Sequence, residues 1–149
     1  MDKFANELNE LLVETFQSVL KVEEQMLKSA SNINLTISEL HLLESVGKSD
    51  EKGKTISDIA EDLDITLPSV TIAINKLVKK GYVEKVRCEN DGRVVYVTLT
   101  KLGHKVDSAH QYFHRQMVRQ VTKELSEDEK LVMLKGITAL NGFFKKKSI

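Results

Sequence analysis

The chain is poor in the residues that mark several large classes of protein. Its 149 residues include one cysteine, one proline, no tryptophan and only 5% aromatic residues. A single cysteine excludes an intramolecular disulfide and fits the reducing cytoplasm, where we expect the protein to act. No apolar run approaches the ~18 residues of a membrane-spanning helix, and no basic stretch precedes an apolar one at the N-terminus, so we predict no membrane partner and no secretory signal.

Motifs of catalysis are equally scarce. The sequence contains no evident nucleophile–base pair, no phosphate-binding glycine loop and no paired catalytic carboxylates. We therefore predict that the protein is not an enzyme. The remaining composition, 41% hydrophobic and 30% charged, is typical of a helix-rich protein and favours a single domain over residues 1–149.

The charges are unevenly distributed although the formal net charge is zero. Residues 76–105 hold eight basic side chains against three acidic ones, whereas residues 1–30 hold six acidic side chains against three lysines. A locally basic centre in a neutral chain is what a phosphate-binding surface needs. This distribution favours double-stranded DNA as a partner.

The centre of the chain predicts a winged helix. Two β-rich runs, 82–87 and 94–99, flank an Asn90-Asp91-Gly92 turn and indicate a hairpin. Directly upstream, two helical patterns that begin after Thr55 and Thr66 are joined by a tight break, as in a helix-turn-helix. Such a unit usually binds DNA.

The second of these helices has a small, polar outer face that suits the major groove. Asn75 can pair adenine bidentately, and Ile72 can contact a thymine methyl group. In the wing, Arg93 is the first candidate to enter the minor groove, and Asp91 is expected to hold it. The predicted DNA-binding residues are Ser69, Thr71, Ile72, Asn75, Lys76, Arg87, Asp91 and Arg93.

These motifs resemble the MarR-type transcriptional regulators over nearly the full length of the chain. The wing, Asp91-Gly-Arg93 followed by Leu99-Thr100-x-x-Gly103, is similar to the family signature D-x-R…L-T-x-x-G. The runs 38–41, 80–87 and 110–114 resemble the repressors of fatty-acid biosynthesis genes in Gram-positive bacteria. The resemblance implies a mainly α, winged helix-turn-helix repressor that acts as an intertwined homodimer on palindromic operators, with fatty-acid metabolism genes as its targets.

The apolar residues agree with a dimer. Helices predicted over about 2–30 and 101–147 carry more apolar side chains than the winged helix over about 36–100 can cover. Two copies are therefore expected to interleave their chain ends. Within the winged helix, the polar stretch 48–54 is predicted to be a loop.

The family resemblance also implies an effector pocket between the dimer-forming helices and the winged helix. We expect it to be largely apolar with a few polar groups, which suits an acyl chain or an acyl-carrier partner. Its predicted lining residues are Leu12, Phe16, Leu40, His41, Phe113, His114 and Met117.

A zinc site is the alternative for the same region. His110 and His114 are spaced i, i+4 and share a helix face, as two imidazole ligands require. Together with Glu24 and His41 they resemble, position by position, a site of zinc-sensing members of the family. For these residues we favour polar side chains that bond to one another without a metal. For the effector, we favour an acyl species over zinc.

Two weaker alternatives concern other functions. A winged-helix dimer can use its outer helix for protein–protein contact instead of DNA binding. Cys88 is a candidate for redox sensing, but strand cysteines are commonly inert, and the oxidation sensors of the family place theirs near the first helix.

Overall fold

The computed structural model describes residues 1–29, 32–50 and 52–147 and is mainly helical, as predicted. Ala30, the predicted end of the first helix, lies outside the described residues. The elements in chain order are α1 (Lys3–Ser29), α2 (Ile37–Gly47), β1 (Lys54–Thr55), α3 (Ile56–Leu63), α4 (Leu67–Lys80), β2 (Val83–Arg87), β3 (Val95–Leu99), α5 (Lys101–Thr122) and α6 (Glu127–Lys147).

Threonine side chains define where the helices of the winged helix begin. Each accepts a hydrogen bond from the backbone N–H three residues further on, at Thr36, Thr55, Thr66 and Thr100. Such a cap satisfies a backbone donor that has no partner within the helix, and losing it costs about 1 kcal/mol. At the other end of α4, Gly81 adopts a φ of 85°, which glycine reaches without steric strain.

The hydrophobic core lies inside the winged helix. Helix α4 contributes Val70, Ile74 and Leu77, which are all fully buried and recur at helical spacing. Burying each such side chain stabilises the fold by roughly 1.5–3 kcal/mol. Among the residues that the structure describes, the buried members of the core cluster are Leu40, Leu42, Leu43, Val46, Ile59, Ala60, Val70, Ile74, Leu77, Tyr82, Val83, Val97, Leu99 and Val106.

A three-stranded antiparallel sheet in the order β1-β3-β2 completes the winged helix. The predicted hairpin is confirmed, and its connection is closed by the N–H of Cys88, which donates to the carbonyl of Val94 at 2.9 Å. The prediction of a loop over 48–54 was wrong at its last residue, because Lys54 belongs to β1 and pairs with Val97. A two-residue strand is too short to produce a period-two pattern in the sequence, so only the pairing with β3 defines it.

The Leu99-Thr100-x-x-Gly103 motif fastens α5 to the end of α4. The hydroxyl of Thr100 donates to the carbonyl of Gly81 at 2.6 Å, and its backbone N–H donates to Tyr82 at 3.1 Å. A β-carbon at Gly103 would overlap the carbonyl oxygen of Tyr82, so the close approach of α5 requires glycine here.

The outer helices leave a large apolar surface uncovered in the single chain. The accessible area is 11170 Å², whereas a compact monomer of this mass would expose about 7,700 Å². None of the described helices has the length and apolar character needed to cross a membrane. Exposed apolar side chains on α1, α5 and α6 include Phe4, Leu8, Leu11, Phe16, Leu20, Val118, Val121, Leu131, Val132, Leu134 and Ile137.

Candidate nucleic-acid interface and histidine cluster

Helix α4 presents the predicted recognition face to solvent. Val70, Ile74 and Leu77 anchor one side of the helix in the core, which turns the opposite side outward. The side chain of Ile72 is 59% exposed. This is a large exposed fraction for an aliphatic side chain, which is usually buried against other apolar groups. The predicted residues on this exposed face are Ser69, Thr71, Ile72, Asn75 and Lys76.

Hydrogen bonds already restrict what two of these side chains can offer. The hydroxyl of Thr71 donates to the carbonyl of Leu67 at 3.0 Å, so its proton is used within the helix. The ammonium of Lys85, on β2, donates to the side-chain oxygen of Asn75. Sequence reasoning did not include Lys85 in the interface, because only the packing of β2 beside α4 brings the two together.

The wing places two arginines near its tip. The Arg93 side chain is 94% exposed, and its Nε lies 3.3 Å from Oδ1 of Asp91. The same oxygen accepts a hydrogen bond from the backbone N–H of Arg93 at 3.0 Å. Asp91 therefore both shapes the turn and orients the arginine side chain. Arg87 donates from Nη1 to the carbonyl of Gly92 at 2.9 Å, which braces the tip from inside. An exposed ion pair adds little stability, so the effect of Asp91 is on geometry.

A cluster of one carboxylate and three imidazoles joins α1, α2 and α5. Glu23, 3% exposed, lies at its centre. Its Oε2 is 3.0 Å from Nε2 of His41, and its Oε1 is 3.4 Å from Nε2 of His110. The Nε2 atoms of His110 and His114 are 2.9 Å apart. Ligand atoms of Glu23, His110 and His114 all lie within 4.8 Å of one another, a spacing that suits one metal ion.

The carboxylate of this cluster is Glu23, and the prediction of Glu24 was wrong. Glu24 is exposed and lines a separate surface depression. One step along a helix turns the side chain by ~100°, so adjacent glutamates face different neighbours. The sequence contained the signal, because the apolar positions Leu12, Phe16, Val19 and Met26 form a stripe whose spacing includes residue 23.

The predicted effector pocket also needs a correction. Leu40 is 3% exposed and belongs to the core of the winged helix, so it does not line an open pocket. Leu40 packs within the core cluster, while His41, the next residue, contacts Glu23 on α1. His41 lines a cavity of about 260 Å³ together with Glu44, Ser45, Lys48, Asp62 and Leu63. Phe113 contacts His114 edge to face at a ring separation of 5.4 Å.

An ion pair connects the end of the recognition helix, α4, to α2. The ammonium of Lys80, at the end of α4, donates to both carboxylate oxygens of Glu39 at 2.8 and 3.0 Å. Burial raises the pKa of Glu39, but the hydrogen bonds from Lys80 and Thr36 outweigh it, so the pKa lies below its ordinary value. This pair fixes the end of α4 to the beginning of α2.

The fold and the exposed face together define a winged-helix transcriptional regulator. Residues 25–110 match the SarA/Rot family of transcriptional regulators, and the chain belongs to this family. It has the MarR-type winged helix that the motifs predicted.

Similar proteins support this assignment. FabT of Streptococcus pneumoniae, solved in complex with DNA, is 37% identical, with a TM-score of 0.85 over 95% of this chain and 98% of that one. The transcriptional regulator AdcR of the same species is 28% identical over 97% of this chain and 100% of its own length. The HTH-type regulator YhjH of Bacillus subtilis is 31% identical over 86 residues, so the chain spans 48% of the length of that protein.

Proposed function

We propose that the protein is a homodimeric repressor that binds palindromic operators in double-stranded DNA. The observation that carries this proposal is the exposed face of α4 beside a wing whose Arg93 is 94% exposed. Helix α4 fits the major groove, and the arginine fits the narrow minor groove next to it. FabT, whose structure contains DNA, supports the same mode of binding.

The homodimer is supported by the apolar surface of the outer helices. Leu131, Val132 and Leu134 of α6 are 65%, 70% and 64% exposed in the single chain. Soluble monomers rarely expose large apolar patches to water. A second copy would cover this surface, and a two-fold axis would place two recognition helices about 34 Å apart, one turn of DNA.

Titration of the protein against duplex DNA at several salt concentrations tests DNA binding. Because bound phosphates release counterions, the affinity should fall steeply with salt, with a slope of about −0.9 for each phosphate contacted. Selection of bound duplexes from a random pool should then enrich a palindrome. Weak binding that is insensitive to salt and sequence would contradict the proposal and favour a protein-interaction module.

For the regulated genes, we infer fatty-acid metabolism with an acyl species or an acyl-carrier partner as effector. The resemblance of residues 38–41, 80–87 and 110–114 to fatty-acid biosynthesis repressors supports this, as does the similarity to FabT. Half-buried Phe113 contacts His114, and the half-buried side chains of Leu12 on α1 and Met117 on α5 offer further apolar surface.

Zinc-responsive regulation is the second candidate, and one observation favours it. Buried Glu23 converges with His110 and His114 within 4.8 Å, and His41 contacts the same carboxylate. Carboxylate and imidazole are the ligands that zinc accepts in proteins, so this donor set fits the ion. A bound zinc would join α1, α2 and α5 through these side chains and stabilise one arrangement of the helices that carry the winged helix.

Chelation separates the two effectors. If zinc is the effector, a strong chelator should change the affinity for operator DNA, and zinc should restore it. If an acyl species is the effector, the chelator should have no effect, and long-chain acyl thioesters should shift the binding curve. A response to neither would remove both effectors and leave DNA binding intact.

A further inference from the structure

The contact between Lys85 and Asn75 determines which side of the Asn75 amide faces the groove. Lys85 lies on β2 and Asn75 on the exposed face of α4, and the Lys85 ammonium donates to the Asn75 side-chain oxygen. An ammonium group has three donors and no acceptor, so it selects the amide oxygen and repels the amide NH2 group. The oxygen is thereby held toward the wing, and the NH2 group is left to face outward.

This orientation changes the base that Asn75 can recognise. Bidentate pairing with adenine needs both the amide oxygen, to accept from N6, and the amide nitrogen, to donate to N7. An outward NH2 group offers donors alone, and it repels the N6 amino group of adenine. It can donate to the major-groove acceptors O6 and N7 of guanine, O4 of thymine and N7 of adenine. Adenine is the poorest of these partners, because a bond to its N7 brings the amide NH2 group beside the N6 amino group, which is also a donor.

Two neighbouring residues on the exposed face of α4 offer no free donor of their own, which makes the Asn75 amide important for reading a base. The Thr71 hydroxyl proton is already bonded to the carbonyl of Leu67, and Ile72 offers only apolar contact. Beside these two residues, the Asn75 amide supplies a donor that can distinguish one base edge from another, in addition to the donors of Ser69 and Lys76 on the same face.

We propose that Lys85 is a specificity-determining positioning residue. It orients the Asn75 amide so that each recognition helix selects guanine or thymine, rather than adenine, at one position of the half-site. The inference deepens the proposed function and depends on it, because it assigns a part of the same DNA-binding face.

Parallel selection from a random duplex pool tests the assignment. The proteins compared are the wild type, Lys85→Met, Asn75→Ala and a matched control, Lys79→Met, which removes the charge of another exposed lysine from α4 itself. The wild type should discriminate by roughly 5-fold to 150-fold at the Asn75 position, the range of one good base contact. Lys85→Met and Asn75→Ala should both relax that same position, while Lys79→Met should leave its preference unchanged.

Binding constants for matched and mismatched duplexes complete the test. In an Asn75→Ala background, Lys85→Met should cause no further loss of discrimination, and thermal unfolding should show that each variant is folded. If Lys85→Met weakens all duplexes equally and keeps the base preference, Lys85 is a phosphate contact and the inference is wrong. Selection of adenine by the wild type at that position would also overturn it. A wild type without any sequence preference would refute the proposed function itself.

Discussion

Glu23 and His110 are 87 positions apart in the sequence, yet Oε1 of Glu23 lies 3.4 Å from Nε2 of His110, and both side chains are buried. The contact holds the first helix against α5. A buried carboxylate without a partner would cost several kcal/mol, so this position must be satisfied by the histidines, by a metal ion, or by both. The cluster is therefore a natural place for a signal to act on the arrangement of the helices.

The first prediction distinguishes the two neighbouring glutamates. Glu23→Gln should weaken zinc binding by at least 10-fold, because it removes the charge of a buried ligand. Glu24→Gln should leave zinc affinity unchanged, because that side chain is exposed on another face. Competition with a chromogenic chelator measures both. Equal effects of the two substitutions, or none, would exclude Glu23 as a ligand.

Substitution of the arginine at the wing tip provides the second prediction. Arg93→Ala should lower the affinity by roughly 10-fold on operator and random duplexes alike and reduce the salt slope by about 1, because it removes a positive charge from the minor groove, where the phosphates of both strands are near. Fluorescence anisotropy at several salt concentrations measures this. Arg119→Ala, which removes the same charge from α5, is the matched control. A loss confined to one DNA sequence would show that Arg93 reads a base instead.

Helix α6 provides a third prediction, on assembly. Ile137→Glu should produce monomer or aggregate, because it places a charge where a second copy is proposed to cover a side chain that is 52% exposed in the single chain. Lys135→Glu places the same acidic side chain at an exposed position of α6 that is already charged, and it should have a smaller effect. Light scattering coupled to size exclusion measures the mass. An Ile137→Glu protein that remains a dimer with full DNA affinity would exclude this part of α6 from the interface.

The fourth prediction concerns the pH dependence of stability. The pKa of Glu39 is lowered, so its ionised form stabilises the folded state at pH values above the ordinary carboxyl pKa. Glu39→Gln should reduce the free energy of unfolding at pH 7 by about 1–3 kcal/mol, through loss of the charge-assisted bond with Lys80. This difference should shrink as the pH falls from about 5 through the lowered pKa.

Chemical denaturation at a series of pH values measures this difference, with Glu61→Gln on the exposed side of α3 as the control. A difference between wild type and Glu39→Gln that stays constant from pH 7 to about 3 would contradict the sign of the shift.

Local sequence determined much of the winged helix. Thr36 and Thr66 are caps that act on backbone atoms three residues away, so their effect needs no knowledge of the fold. The stripe of Val70, Ile74 and Leu77 follows from the helical period, and it fixes the exposed side of α4 by exclusion. The Asn90-Asp91-Gly92 turn between two β-rich runs was sufficient to predict the wing hairpin.

Tertiary structure decided what no local pattern contains. The apolar stripe of α1 includes position 23, but the contacts of Glu23 with His41 and His110 exist only when α1 packs against α2 and α5. Lys54 became a strand residue only through pairing with Val97 on β3. The side-chain oxygen of Asn75 is held by Lys85, a residue of another element. Helix faces and turns depend on residues that are close in the sequence, so a local pattern predicts them. The partner of a side chain on another element depends on how the helices and strands pack together, and no local pattern contains that information.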